Sequence, residues 1–170
     1  MEVLHRIRKG IDAALSTACI LLFALMVVVG TYQIVTRFVF NAPSTVSEEL
    51  LTYSFAWMAL LSAAYIFGKR DHMRMGFMAD KLTGTKRKIL EIAIEVLILV
   101  FAASVLIYGG FTIMNLTMTQ KTASLGVMMG VIYTVVPLSG ILIFVYGILN
   151  IIDLCVGDTP EHKSEEMQED

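Results

Sequence analysis

Four long stretches without Asp, Glu, Lys, Arg or His restrict the possible folds of this chain more than any other feature. They are residues 13–36, 50–68, 96–120 and 122–152. A helix needs about 20 apolar residues to cross roughly 30 Å of hydrocarbon, so each stretch can span a membrane. None shows the alternating pattern of a barrel strand, and lipid requires backbone polar groups to be bonded internally. The sequence predicts an all-α integral membrane protein with four transmembrane helices.

The predicted organisation is a single membrane domain at residues 1–157, followed by an acidic tail at 158–170 that we expect to be disordered. The predicted spans are residues 13–36, 47–68, 92–119 and 126–152. Only 16% of the residues are charged, against about 25% in soluble domains. The net charge of −2 provides no basic excess for nucleic acid, which we exclude as a partner.

Basic residues predict the orientation in the membrane. Of the 13 Lys and Arg residues, 11 lie before the first span, in the second loop or in the tail. The positive-inside rule therefore places both termini in the cytoplasm and the first and third loops on the opposite side. We expect a multi-pass protein of a bacterial inner membrane. The first charge-free stretch exceeds the length of a signal-peptide core, so we expect an uncleaved first span.

The second loop, residues 69–88, has basic residues at both ends and methionine, phenylalanine and leucine between them. This pattern predicts a segment that lies on the membrane surface between helices 2 and 3. A plain solvated loop is the alternative.

Groups that could carry chemistry are scarce within the predicted spans. No ionisable side chain is expected inside the hydrocarbon, where ion-coupled transporters place one, and no histidine is placed to bind haem. Glu95 falls at the edge of the third span, where we expect Arg87, Glu91 and Glu95 to form charge pairs near the lipid headgroups. A proton-handling role would need Glu95 to lie deeper. We expect no catalysis, no metal and no cofactor in this chain.

One face of the predicted third helix is polar along its length. Spacings of three and four residues align the side chains of Ser104, Tyr108, Thr112, Asn115 and Thr119. Polar side chains within a membrane seek partners on other helices, so this face is predicted to contact protein, within the bundle or in a second subunit. A water-lined path is the alternative.

Glycine and proline mark the fourth predicted helix. Gly126 and Gly130 form a GxxxG pair, which allows two helix backbones to approach closely but is common by chance. Pro137 cannot donate a hydrogen bond to the carbonyl four residues earlier, so we expect a kink near Tyr133.

The link between the first two helices is the most unusual segment. Thr45 and Glu48 have the spacing of a capping box, so the second helix is predicted to begin at Thr45. Glu48 and Glu49 then lie near its positive end. Arg37 ends the first span, and Pro43 restricts the link, so we predict that Arg37 pairs with one of these glutamates or with a group in a partner subunit.

The same segment carries a family resemblance. The matching residues are Gln33-Ile-Val-Thr-Arg37-Phe38-Val-Phe40-Asn41, then Ser47-Glu48-Glu49-Leu50 with Trp57, then His72-Met-Arg74. In these residues, and in its length and charge layout, the chain resembles the small permease (Q) subunit of tripartite ATP-independent periplasmic (TRAP) transporters. Val46, Thr52 and Gly76 depart from residues that are frequent in the family.

The resemblance implies a complex. A periplasmic binding protein would deliver an organic acid, sialic acid or a C4-dicarboxylate, to this chain and a large elevator-type permease (M) subunit. The large subunit would hold the substrate and sodium sites, and the small one would brace it. The alternatives are an independent homo-oligomeric transporter or channel, and an assembly or anchor subunit of another membrane complex.

Overall fold

The computed structural model describes residues 2–69 and 85–156, and these are helical apart from two connections. The elements are α1 (Glu2–Phe38), α2 (Thr45–Gly68), α3 (Thr85–Phe101), a π-helix (Ala102–Gly109), α4 (Gly110–Thr117), α5 (Met129–Tyr133) and α6 (Val135–Val156).

The prediction of an all-helical chain with four spans is confirmed, because four helices are long and apolar enough to cross a membrane. The spans are Arg8–Phe38, Thr45–Gly68, Ile92–Thr117 and Met129–Ile152. Residues 70–84, which include His72, Arg74 and most of the proposed surface segment, lie outside the described residues. The acidic tail at 158–170 also lies outside them.

Two of the spans are not uniform α-helices. The third passes from α3 through the π-helix into α4. The fourth is interrupted at Thr134, between α5 and α6. Pro137 has no N–H to offer the carbonyl of Tyr133, and the interruption therefore falls where the sequence predicts a kink.

The helix α2 begins at Thr45, as predicted, but its cap is one residue earlier. The hydroxyl of Ser44 accepts a hydrogen bond from the backbone N–H of Ser47 at 3.4 Å, and the Ser47 hydroxyl donates to the Ser44 carbonyl at 2.9 Å. Serine is a favoured N-cap because its oxygen satisfies a free N–H of the first turn. The predicted capping box from Thr45 to Glu48 is therefore wrong by one position.

The spans pack side by side in the order first, second, fourth, third. The fourth span is the most buried and the first the least. A buried cluster centred on Leu15, Leu61, Phe67, Val135 and Tyr146 joins them. Here the end with residues 39–44 and 118–128 is called the loop end, and the opposite end, where α1 begins and α6 finishes, the terminal end.

Candidate functional site

At the loop end, the carboxylate of Glu49 holds the connection between the third and fourth spans. Its two oxygens accept hydrogen bonds from the backbone N–H groups of Ala123, Ser124 and Leu125 at 3.1, 2.9 and 2.8 Å. The Tyr53 hydroxyl donates to the same carboxylate at 3.0 Å. Successive backbone N–H groups that converge in this way form an anion-binding concavity. We call this arrangement the Glu49 anchor.

The loop is shaped to present those N–H groups. Thr122 donates its backbone N–H to the Val127 carbonyl at 2.8 Å, and its buried hydroxyl accepts from the Val127 N–H at 3.1 Å. Gly126 turns the chain with a φ of 67°, a conformation that side chains with a Cβ rarely adopt. The loop therefore closes as a tight turn with its tip against α2.

Trp57 and Tyr53 extend this contact along α2. The indole N–H of Trp57 donates to the carbonyl of Ile132 at 3.0 Å, immediately before the interruption of the fourth span. The Tyr53 hydroxyl also lies 3.8 Å from the sulfur of Met129. Glu49, Tyr53 and Trp57 are spaced by four residues, so one face of α2 makes all of these contacts.

Arg37 does not pair with Glu48 or Glu49 within the described chain, so that part of the prediction is wrong. The Glu49 carboxylate instead binds the distant loop, and Glu48 is exposed. The guanidinium of Arg37 lies 5.9 Å from the centre of the Phe38 ring. Asn41 follows with a φ of 49°. Asparagine tolerates this left-handed conformation, which turns the chain after α1.

At the terminal end, a cluster of polar side chains joins all four spans. Asn150, which is fully buried, accepts from the Arg8 guanidinium at 3.2 Å and donates to the Glu95 carboxylate at 3.1 Å. Arg8 also donates to the carbonyl of Gly68. The buried hydroxyl of Tyr146 donates to Asp12. We call this group the terminal cluster.

The terminal cluster contains charged residues that flank the charge-free runs. Glu95 is buried between helices, with 6% of its surface exposed, and accepts a hydrogen bond from Asn150. Its charge pair with Arg87 and Glu91 stays a prediction, because the structure does not describe the side chains of those two residues. Arg8 and Asp12 lie near the start of the first helical span, before the charge-free run 13–36, and Glu95 lies directly before the charge-free run 96–120. The sequence signal that could have indicated this cluster is the polar Asn150 in an otherwise apolar stretch, because a buried amide needs hydrogen-bond partners.

The polar face of the third span points away from the bundle. Its five predicted residues are all exposed: Ser104, Tyr108, Thr112, Asn115 and Thr119. Packing of this face within the bundle, one of the two predicted arrangements, is therefore wrong. The Ser104 and Thr112 hydroxyls donate to carbonyls of their own helix at 2.7 and 2.9 Å.

The pair Gly126 and Gly130 is not a helical packing motif, because Gly126 lies in the loop before α5. A Cβ there would have no neighbour within 4 Å. Gly130 does make a close contact on its own, since a Cβ would lie 2.6 Å from the carbonyl oxygen of Met114 in α4.

No three His, Cys, Asp or Glu side chains of residues 2–69 and 85–156 form a group that could hold a metal ion.

These features define the class of the molecule as a small multi-span helical membrane protein that presents a polar helix face outside its own bundle. The sequence model of the family described as "Tripartite ATP-independent periplasmic transporters, DctQ component" matches residues 26–157. The chain belongs to this family, the small permease subunits of TRAP transporters.

Relatives of known name agree with this family. A Haemophilus influenzae protein named as a TRAP transporter small permease is 27% identical over 133 residues, 78% of this chain and 82% of that protein. The "Sialic acid TRAP transporter small permease protein SiaQ" of Vibrio cholerae is 30% identical over 109 residues, 64% of this chain and 61% of that protein.

Proposed function

We propose that this chain is the non-catalytic small membrane subunit of a TRAP-type secondary transporter, and that it braces a large elevator-type permease subunit. The observation that carries the proposal is the polar face of the third span, which points away from the bundle. Family membership gives the kind of complex. The large subunit would use a sodium gradient to take up an organic acid.

The hydrogen bonds of this face support a protein neighbour rather than lipid. Ser104 and Thr112 are satisfied by their own helix. Asn115 and Tyr108, in contrast, make no side-chain hydrogen bond to any described residue, and Tyr108 is 76% exposed. Hydrocarbon offers no hydrogen-bond partner, and a neutral polar group left there is unfavourable by a few kcal/mol. A second subunit with polar side chains at this depth satisfies both groups.

The packing order supports the same assignment. The third span stands at one edge of the bundle and packs mainly on the fourth, so its outer face is open to a large neighbour. The water-lined path is less well supported, because it would need a second polar wall, and the structure describes none within this chain. We therefore assign the face of Ser104, Tyr108, Thr112, Asn115 and Thr119 to the large permease subunit.

The proposed orientation places the terminal end in the cytoplasm and the loop end in the periplasm of a bacterial inner membrane, following the distribution of basic residues. In this orientation the Glu49 anchor faces the side from which a periplasmic binding protein would deliver the solute. We assign the sodium sites to the large subunit and assign no cofactor to this chain.

The solute we propose is a carboxylate, either sialic acid or a C4-dicarboxylate. Sialic acid is preferred because the Vibrio cholerae relative carries it in its name. No residue of this chain selects between the two, because the solute site is assigned to the partner subunit.

Reconstitution in liposomes tests the proposal. The chain together with the large permease, the binding protein and an inward sodium gradient should take up labelled sialic acid or a C4-dicarboxylate. The chain alone, under the same gradient, should take up neither. Saturable uptake by the chain alone would overturn the assignment as an accessory subunit and favour an independent transporter.

A further inference from the structure

Residues 110–133 form a helical hairpin at the loop end. Its two arms are α4 and α5, and they pack tightly at Gly130, where a Cβ would lie 2.6 Å from the Met114 carbonyl oxygen and 2.7 Å from the Met118 sulfur. The connection between them is closed by the N–H of Met129, which donates to the Gln120 carbonyl at 2.8 Å. The hairpin is therefore held together by its own contacts.

Both ends of the hairpin join the rest of the bundle through irregular backbone. On the third span the junction is the π-helix Ala102–Gly109, an arrangement found in well under 1% of residues and often at functional sites. On the fourth span it is the interruption at Thr134, with Pro137 one turn further. Helices bend at such places because their regular hydrogen-bond ladder is interrupted.

The two junctions touch each other. A Cβ on Gly110 would lie 2.9 Å from the Pro137 ring, so the third and fourth spans meet there with almost no intervening side chain. Two bendable points at the same level define one axis. Rotation about that axis would move the hairpin as a unit and leave the terminal cluster in place.

A single face of α2 holds the hairpin in its observed position. Glu49 binds its loop through three backbone N–H groups, and Trp57 binds the Ile132 carbonyl at its base. These ties are hydrogen bonds, and the largest group of them depends on one partly exposed carboxylate. Water can replace such bonds at the membrane surface, whereas it cannot replace packing in the bundle core.

We propose that residues 110–133 are a hinged cap that pivots about the contact between Gly110 and Pro137, and that Glu49 is the latch that holds it against α2. The structure shows the latched position. The cap carries Thr112, Asn115 and Thr119, whereas Ser104 lies in the π-helix on the other side of the hinge. Opening would therefore shift part of the face that we assign to the large subunit. This consequence rests on the proposed function, whereas the hinge does not rest on it.

Distances between spin labels test the hinge in the full-length chain in lipid nanodiscs. One label pair joins the cap to the first span, through Lys121→Cys and Thr17→Cys, in a background with Cys19→Ser and Cys155→Ser. The control pair, Thr17→Cys and Val100→Cys, joins the first span to α3 below the hinge. All three labelled positions are exposed.

With Glu49 unchanged, the labels at Lys121→Cys and Thr17→Cys, called the cap pair, should give one narrow distribution of distances. Glu49→Gln should add a second, longer distance for the cap pair and leave the control pair unchanged. Glu48→Gln is the matched control, because this neighbouring carboxylate is exposed and makes no side-chain hydrogen bond to any described residue. Tyr53→Phe, which removes a single donor to the anchor, should give a smaller second population, and it serves where Glu49→Gln yields no folded protein.

The fourth-span junction is tested by adding Pro137→Ala to Glu49→Gln. Alanine restores an N–H for the Tyr133 carbonyl, so the second distance should shrink or vanish. The proposal is overturned if Glu49→Gln and Tyr53→Phe leave the cap distance as in wild type. It is also overturned if the cap and control pairs broaden together, since that would mean the whole bundle loosens rather than the cap opening.

Discussion

Replacement of Asn150 by leucine should destabilise the isolated chain, because Asn150 is the residue through which the terminal cluster joins α1, α3 and α6. Leucine has nearly the same size and preserves packing, but it removes the hydrogen bonds with Arg8 at 3.2 Å and with Glu95 at 3.1 Å. The effect measured therefore includes the loss of these two contacts with described residues at a fully buried position.

The magnitude follows from the measured strength of such bonds. Hydrogen bonds to charged groups contribute about 1.5–3 kcal/mol in soluble proteins. Between membrane helices the average is about 0.6 kcal/mol and the maximum about 1.7 kcal/mol, because the unfolded chain also finds partners. For two bonds we expect a loss of about 1–3 kcal/mol, which changes the ratio of folded to unfolded protein by about 5–150-fold.

The assay is unfolding of the purified chain in mixed micelles with increasing SDS, followed by circular dichroism. Asn115→Leu is the matched control, because it makes the same substitution at an exposed position that has no side-chain hydrogen bond to any described residue. The control should be as stable as wild type or slightly more so. The reasoning is refuted if both variants unfold at the same SDS fraction as wild type, or if they lose stability equally.

Three further predictions concern the complex, the fourth span and the orientation. Asn115→Leu removes an amide with no side-chain partner among the described residues, and Thr112→Leu removes a hydroxyl that donates within its own helix but can still accept. Each should weaken copurification with the large permease by about 1 kcal/mol per lost interhelical hydrogen bond, and unchanged recovery and transport would place that face elsewhere. Trp57→Phe should lower the stability of the isolated chain by about 0.5–1.5 kcal/mol, because it removes the hydrogen bond to the Ile132 carbonyl. The same SDS titration measures this loss, and an unaltered midpoint would contradict a role for that bond. Reporter fusions after Asp170 and within residues 69–88 should read as cytoplasmic and one near Ala42 as periplasmic, and a periplasmic C-terminal fusion would reverse the assigned sides.

The sequence was sufficient for the four spans because charge-free runs and hydrocarbon thickness are both local quantities. It also located the interruption of the fourth span, since Pro137 acts only on the turn that precedes it. The outward position of the third-span polar face could not be chosen in advance. Polar spacing shows that the residues share a face, but the direction of that face depends on which helices pack together.

The Glu49 anchor was missed for a different reason. Its partners are backbone N–H groups about 75 positions away in sequence, and backbone groups leave no signature in residue type. The sequence suggested a nearer partner, Arg37, from the short link between α1 and α2. The burial of Glu95 could not be predicted, because the boundary of a charge-free run does not reveal on which side of a helix the next charged residue lies.

The packing order of the spans has a consequence for how the protein is made. The first two spans pack against each other and can form a helical pair as soon as the second has left the ribosome. The third span packs mainly on the fourth, which is synthesised after it. During membrane insertion the third span, with its row of hydroxyl and amide groups, has therefore to stay in the bilayer or beside the insertion machinery without its main neighbour. The third span is fixed at the edge of the bundle only after the fourth has been inserted, so the face assigned to the large subunit takes its final position last.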